Sequence, residues 1–182
     1  MYYINLTIQI IILLSFSVFF ILFINSIINS VRFKVPQVWT FPSDFRVMKK
    51  WLWKYKLSWK NLVDLWSGSW KALRFFEKEF WTKSTWYEID FSNVIISKII
   101  WYILWNKSKI IKWDYLKADL SDYDIVYVYW FTVLMPWIEK KLWNNCKKWT
   151  LVISNAFKMP NKKAINILLN NSWKEEIYIY KI

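Results

Sequence analysis

Glycine, the residue that tight turns and helix ends use most often, occurs only once in this chain of 182 residues, at Gly68. Ordinary usage of about 7% would place roughly 13 glycines in a chain of this length. Turns and helix ends that need a positive φ angle normally depend on glycine. Other residues must therefore occupy those places here, and this constrains every loop of the fold.

Tryptophan occurs 16 times, and several of its positions are ones where glycine is expected: Trp66, Trp70, Trp113 and Trp149. Our hypothesis is that UGA codons are read as glycine in the cell and appear here as tryptophan. The alternative is a genuinely Trp-rich protein that uses its indoles at a membrane boundary or for stacking. Trp137 and Trp143 are expected to be genuine, because they lie inside a predicted helix, where glycine is unfavourable.

The residue inventory excludes several catalytic chemistries. The sequence contains no histidine, which rules out Ser-His-Asp triads, Cys-His dyads and His-ligated zinc. Its single cysteine, Cys146, cannot form an intramolecular disulfide or a cysteine cluster for metal. No metal site is predicted.

The N-terminal 31 residues carry no charged side chain. Residues 6–28 are long and apolar enough to span a bilayer, and they lack the basic start and small-residue cleavage site of a signal peptide. The first charges, Arg32 and Lys34, follow this segment. Positive charge on that flank predicts a single-pass anchor in the cell membrane, with the rest of the chain in the cytoplasm.

The remainder predicts a linker and lead-in helix over 32–60 and one catalytic domain over 61–182. In that domain, strand patterns alternate with helix patterns and a pair of strands closes the chain, which is typical of a mainly parallel α/β sheet with an antiparallel C-terminal strand. The predicted strands are 61–65, 84–88, 109–112, 123–129, 149–156, 164–169 and 176–180. The predicted helices are 71–80, 92–104 and 132–143, with Ser43 and Asp44 capping the lead-in helix.

The stretch VDLWSGSW at 63–70 follows the first strand. With Trp66 and Trp70 restored to glycine it becomes VDLGSGSG, a turn whose amide N–H groups would face a ligand at a helix N-terminus. Glu88 ends the second strand, 24 residues after Asp64. An acidic residue there commonly binds the ribose hydroxyls of an adenosine-containing ligand.

With these motifs, residues 36–182 resemble the class I S-adenosylmethionine-dependent methyltransferases, whose sheet is Rossmann-like. Within that class the chain is most similar to the ATP synthase c-subunit lysine methyltransferase family, which also suits a hydrophobic N-terminal segment. The matching pieces are 41–43 (FPS), 63–70 (VDLWSGSW), 86–90 (WYEID), 113–129 (WDYLKADLSDYDIVYVY), 149–160 (WTLVISNAFKMP) and the terminal IYIY.

The resemblance implies S-adenosyl-L-methionine as cofactor and assigns residues to its parts. Asp64 and the loop positions Trp66, Ser67, Gly68 and Trp70 would surround the methionine portion, and Glu88 would hold the ribose. Asp114 would face the adenine amino group, with Tyr115 beside the ring. Asp124, Tyr127 and Tyr129 would lie on the substrate side as catalytic residues. If Trp66 and Trp70 are genuine, two indoles occupy the space that the cofactor needs.

Several alternatives stay open. Asp64 and Glu88 could be capping or surface carboxylates, Asp124 could end a turn, and Tyr127 and Tyr129 could simply fill one sheet face. The net charge of +13 could reflect a solvated lysine-rich surface or attraction to anionic lipid. The preferred function is a protein-lysine methyltransferase whose substrate could be a membrane protein. The competing functions are an RNA or small-molecule methyltransferase, although nucleic acid is the less expected partner, a nicotinamide-dependent oxidoreductase, and an inactive Trp-rich membrane scaffold.

Overall fold

The structure is a computed structural model, and it describes residues 2–32, 40–65, 71–88, 91–103, 109–112, 117–170 and 175–182. The helices are α1 (Tyr2–Arg32), α2 (Pro42–Leu52), α3 (Lys71–Phe80), α4 (Phe91–Ile103) and α5 (Met135–Asn145). The strands are β1 (Asn61–Asp64), β2 (Lys83–Glu88), β3 (Lys109–Lys112), β4 (Ile125–Val128), β5 (Leu151–Asn155), β6 (Asn166–Asn170) and β7 (Glu175–Lys181).

The strands form one sheet in the order β3-β2-β1-β4-β5-β7-β6. Strands β1 to β5 are parallel to one another, and β7 lies antiparallel between β5 and β6. The predicted mainly parallel sheet with an antiparallel C-terminal strand is therefore confirmed. The chain runs outward from β1 through β2 to β3 and then crosses back to β4. Ligands of open α/β sheets bind at the carboxyl ends of strands where the order reverses in this way.

Two core layers cover the sheet. On one face, Phe76 of α3 packs with Trp86 and Tyr127, and on the other, Ile138 of α5 packs with Val63 and Val126. All four residues of β4, Ile-Val-Tyr-Val, are buried. A strand buried on both faces of a parallel sheet has this continuous apolar sequence, whereas a half-exposed strand alternates.

The helix α1 leaves the domain near the start of α4. Its residues 5–25 are apolar and long enough to cross a membrane, and side chains 5–21 are exposed. Near its C-terminal end the Asn25 side-chain amide donates a hydrogen bond to the Ser92 hydroxyl, at 2.6 Å. An apolar helix that stands clear of its own domain is not a core helix of that domain.

Three tryptophans have a backbone conformation that favours glycine. Among the described residues, φ is positive at Trp59 (65°), Trp81 (57°), Trp149 (76°) and Ala156 (63°). Trp81 follows α3 directly, and its N–H donates to the Glu77 carbonyl at 3.0 Å. This is the helix-terminating position that glycine usually occupies.

We expect Trp81→Gly to raise the free energy of unfolding by about 1 kcal/mol, since the left-handed conformation costs other residues roughly 1–2 kcal/mol. Glycine's larger backbone entropy in the unfolded chain offsets part of the gain. Trp53 is the matched control, because it also follows a helix and is 69% exposed against 67% for Trp81, but its φ is −54°. Trp53→Gly should lower stability. Equal effects of the two substitutions in denaturant unfolding would contradict the backbone argument.

Candidate active site

Two buried carboxylates lie at the carboxyl ends of adjacent parallel strands. Asp64 is the last residue of β1 and is 1% exposed, and Glu88 is the last residue of β2 and is 4% exposed. Asp64 is in register with Trp86 on one side and with Tyr127 of β4 on the other. Both carboxylates therefore lie at the edge where the strand order reverses. Buried carboxylates accept hydrogen bonds from hydroxyl and N–H groups, so this edge suits a hydroxylated or cationic ligand.

The loop that follows β1 and the segment that follows β3 cannot be located relative to these carboxylates. Trp66, Ser67, Gly68 and Trp70 lie outside the described residues, as do Asp114 and Tyr115. Their neighbours in sequence are described: β1 ends at Asp64, and β3 ends at Lys112. Their predicted roles remain predictions.

Asp124 lies at the opposite edge of the sheet from Asp64. Its carboxylate accepts a hydrogen bond from the Asn61 amide at 2.9 Å and forms an ion pair with Lys147, also at 2.9 Å. Burial acts to raise the pKa of this carboxyl, but the bonds from Lys147 and Asn61 outweigh it and hold the pKa below its usual range. Asn61 begins β1, so about 10 Å of strand separates Asp124 from the Asp64 edge at roughly 3.3 Å per residue. The predicted catalytic role of Asp124 is therefore not supported, since this residue precedes its strand.

Tyr127 lies beside Asp64, but in a neutral, structural setting. It is 2% exposed, and its hydroxyl is 3.0 Å from the Thr40 hydroxyl and 3.3 Å from the Asn155 side-chain nitrogen. Burial, chiefly, raises the pKa of Tyr127 well above its ordinary value, and the charges of Asp64 and Asp44 add to this. Tyr127 thus stays protonated and cannot act as a general base.

Tyr129 lies on the same face of the sheet as Tyr127. It is 8% exposed, and its ring packs against Phe157, with ring centroids 6.1 Å apart. Both tyrosines belong to the core layer that contains Phe76, whereas Val126 and Val128 belong to the opposite layer. This arrangement agrees with the packing interpretation of the alternating YVY pattern.

A polar cluster that the sequence analysis did not predict joins the lead-in helix to this edge. We use "polar cluster" for Thr40, Ser43, Asp44, Tyr127, Asn155 and Asn170. The Asp44 carboxylate accepts hydrogen bonds from the Phe41 amide at 3.1 Å, from Asn155 at 3.4 Å and from Asn170 at 2.5 Å. Asn170 also donates to the Ser43 hydroxyl at 2.7 Å. These bonds hold the start of α2 over the carboxyl ends of β4 and β5.

Asn155 is the member of the polar cluster with spare hydrogen-bonding capacity. It is the last residue of β5 and is fully buried. Its side-chain oxygen has no hydrogen-bond partner among the described residues. A buried acceptor without a partner costs about 1–3 kcal/mol, and native proteins usually retain one for a reason. The signal in the sequence is an asparagine that directly ends an apolar strand.

The described part of the chain contains no group of three or more Cys, Asp or Glu side chains that could hold a metal ion. The carboxylates at the carboxyl edge, Asp44, Asp64 and Glu88, are all buried. Against a net charge of +13 for the whole chain, this edge is therefore locally acidic. A ligand with positive charge is favoured there.

In sequence, the chain matches no protein-family profile and no curated protein. In structure, it is similar to an RNA methyltransferase from Salinibacter ruber solved with S-adenosyl-L-homocysteine, with a TM-score of 0.70 and 18% identity over 80% of this chain and 94% of that one. A protein from Haemophilus influenzae assigned as a methylase gives a TM-score of 0.58 and 16% identity, over 77% and 98%. A variant of MtNAS solved with S-adenosylmethionine gives 0.62 and 11%, over 77% and 62%. The Rossmann-like methyltransferase fold predicted from the sequence is thus confirmed.

We expect Tyr127→Phe to lower the free energy of unfolding by about 1–3 kcal/mol, because the buried Thr40 and Asn155 side chains each lose a hydrogen-bond partner. Tyr102→Phe is the control, since Tyr102 is 88% exposed. Chemical denaturation of both variants measures the difference. If the two variants are equally stable, the Tyr127 hydroxyl does not hold the polar cluster together.

Proposed function

We propose that this chain is a membrane-anchored S-adenosylmethionine-dependent methyltransferase that modifies a lysine of a protein substrate. The observation that carries the proposal is the pair of buried carboxylates, Asp64 and Glu88, at adjacent carboxyl ends of the sheet. The chain shares its fold with proteins solved with S-adenosylmethionine or its product. A nicotinamide-dependent oxidoreductase has no comparable support, since no hydride-transfer residues were found in the sequence.

The residues at the carboxyl edge fit the cofactor's chemistry. S-adenosylmethionine supplies an electrophilic methyl group on a positively charged sulfur. Glu88 would accept hydrogen bonds from the ribose hydroxyls, and Asp64 would lie near the methionine portion with the loop 66–70. Asp114 and Tyr115 would meet the adenine ring, as the resemblance implies. The negative charge of this edge favours a sulfonium for the same reason that it favours any cation.

The polar cluster would act on the acceptor. A lysine ammonium is drawn to the acidic edge, but it must release a proton to solvent water before its nitrogen can attack the methyl group. The carboxylates that attract the ammonium act to raise its pKa and so oppose this loss. Transfer into a water-poor site lowers an amine pKa and eases that loss. The side-chain oxygen of Asn155 would accept a hydrogen bond from an N–H group of the amine. This bond would direct the lone pair of the amine nitrogen toward the methyl group. Much of the rate then comes from alignment rather than from a general base.

The helix α1 and the family resemblance support a protein substrate in or near the membrane. In this proposal α1 anchors the chain in the cell membrane and the domain lies in the cytoplasm, on the side of Arg32 and the basic residues that follow it. The ATP synthase c subunit is the substrate that the resemblance suggests.

RNA is the second candidate acceptor, and a groove at the amino edge favours it. The groove, which we call the basic groove, encloses about 320 Å³ and includes five lysines among its lining residues: Lys56, Lys60, Lys147, Lys148 and Lys181. Clustered lysines bind a phosphate backbone with a strong dependence on salt. The similar protein from Salinibacter ruber is an RNA methyltransferase.

The cofactor assignment is tested by calorimetric titration of the full chain with S-adenosylmethionine. Glu88→Gln and Asp64→Asn should each weaken binding about ten-fold or more, since a charge-assisted hydrogen bond contributes about 1.5–3 kcal/mol. The matched control is Asp122→Asn, because Asp122 is an exposed carboxylate in the turn that precedes β4, at the amino edge of the sheet. Unchanged affinity in the Glu88 and Asp64 variants would contradict the site.

The acceptor is identified with the same protein and radiolabelled cofactor. Label recovered as methyl-lysine from membrane proteins supports the protein substrate. Label recovered in RNA, together with salt-sensitive RNA binding, would replace it with the second candidate. If the chain binds no cofactor, whether it carries tryptophan or glycine at positions 66 and 70, the inactive scaffold is the remaining explanation.

We also propose that many of the tryptophans are glycines in the cell. The support is local: Trp59, Trp81 and Trp149 have positive φ angles and are more than 60% exposed, at 68%, 67% and 64%. A positive φ is rare for a bulky residue and ordinary for glycine. Trp143 differs, because it lies in α5 and packs edge-on against Tyr180. It is expected to be genuine.

The mass of tryptic peptide 61–71 from the native organism's protein tests this proposal. This peptide contains Trp66 and Trp70, and recoding predicts a mass lower by two Trp-to-Gly differences. Peptide 149–158 should be lower by one such difference, because it contains Trp149. Peptides that retain their indoles would contradict the recoding, and the cofactor loop would then be blocked.

A further inference from the structure

We propose that the outward face of α4 lies against the lipid bilayer beside α1, so that two helices rather than one hold the domain at the membrane. This proposal rests on the membrane anchoring proposed above. It does not depend on the cofactor or the acceptor. It names a second membrane-contacting surface and sets which edge of the sheet faces the lipid.

The surface consists of apolar side chains in one stripe along the helix. Ile95, Ile99 and Tyr102 follow each other at intervals of four and three residues, which places them on one helix face. Ile99 is 55% exposed and Tyr102 is 88% exposed, and Ile95 is half-buried. We call these three residues the outer stripe. Phe91, at the start of the helix, is 53% exposed.

The other face of α4 already packs on the domain. Val94, Ser97 and Trp101 are buried there. The outward face of the helix is therefore mainly apolar. Lys98, the only charged residue of α4, is exposed on this face between Ile95 and Tyr102. A lysine beside lipid can lay its aliphatic stem on apolar surface and extend its ammonium to the headgroups. A helix at a water-exposed surface normally carries polar residues outward. An apolar outward face is what a helix at the membrane interface presents to lipid.

The outer stripe is continuous with the candidate membrane span. Asn25, the last residue of the span, donates a hydrogen bond to Ser92 in the first turn of α4, at 2.6 Å. If residues 5–25 lie in the bilayer, its surface reaches the first turn of α4. The outer stripe then begins at the membrane boundary, where tyrosine is favoured because its ring is apolar and its hydroxyl is polar. Because of this contact between Asn25 and Ser92, we infer that lipid covers the outer stripe.

The same geometry orients the domain. Glu88 precedes Phe91 by three residues, so the Cα atoms of these two residues lie within about 11 Å at 3.8 Å per residue. The carboxyl edge with its buried carboxylates is therefore held close to the headgroup region. The basic groove lies at the amino edge, at the far end of the strands, and points away from the membrane.

The test uses the full chain in phosphatidylcholine vesicles with one environment-sensitive fluorophore. Cys146→Ser provides a background without a native thiol. The label is attached to Ile99→Cys in the outer stripe or, as control, to Lys140→Cys on α5, which covers the opposite face of the sheet. A third label at Lys148→Cys reports on the basic groove, with phosphatidylglycerol added to the vesicles to supply anionic headgroups.

The Ile99 label should shift to shorter emission wavelength in vesicles, be quenched by a nitroxide on the lipid acyl chain and be protected from aqueous iodide. The Lys140 label should keep its emission wavelength in vesicles, be insensitive to the lipid nitroxide and be quenched by iodide. An Ile99 label that iodide quenches as strongly as the Lys140 label would overturn the proposal. Protection of the Ile99 label from both quenchers would also overturn it, because this result indicates a protein partner or a second copy on the outer stripe. Lipid quenching of the Lys148 label alone would overturn it as well, because the basic groove would then face the membrane. Failure of S-adenosylmethionine binding would not alter these results, so the cofactor assignment and the membrane contact of α4 fail independently.

Discussion

The hydrogen bonds to the Asp44 carboxylate are the interaction on which the arrangement of the carboxyl edge depends. The carboxylate accepts hydrogen bonds from its own helix start, from Asn155 at the end of β5 and from Asn170 at the end of β6. Since Asp44, Asn155 and Asn170 are buried, the bonds among them form in a low-dielectric environment, where an unpaired partner would be costly. One side chain near the beginning of the domain thereby fixes the position of its last strands.

This arrangement also shapes the carboxyl edge. Because α2 begins over the ends of β4 and β5, residues far apart in sequence, Asp44 and Asn155, come to lie near Asp64. The resulting edge is acidic, whereas the amino edge carries the lysines of the basic groove. The excess positive charge of the chain is thus not spread evenly. A positively charged group such as the sulfonium of S-adenosylmethionine is favoured at the carboxyl edge, and the lysines lie at the other end of the sheet.

The scarcity of glycine acts on the backbone rather than on the core. The chain adopts positive φ angles with tryptophan at Trp59, Trp81 and Trp149, where the indoles are exposed. In contrast, Trp86 is fully buried on β2 and fills space in the core, although its indole N–H has no hydrogen-bond partner among the described residues. The same residue type is therefore strained at some positions and accommodated at others. The backbone conformation decides which.

The sequence by itself determined the apolar span, the order of strands and helices, and the position of Asp64 and Glu88 at strand ends. It could do so because periodicity and strand-end position are local properties. It also placed Asp124 at the start of the fourth strand, but the catalytic role of Asp124 came from the family resemblance alone. Only the tertiary structure shows the ion pair of Asp124 with Lys147 at the amino edge. Tyr127 as a neutral core residue, the polar cluster around Asp44 and the contact of α1 with α4 were decided only by the tertiary structure. Each of these depends on contacts between side chains that are 25 or more residues apart in the sequence. A local sequence pattern does not predict such long-range contacts.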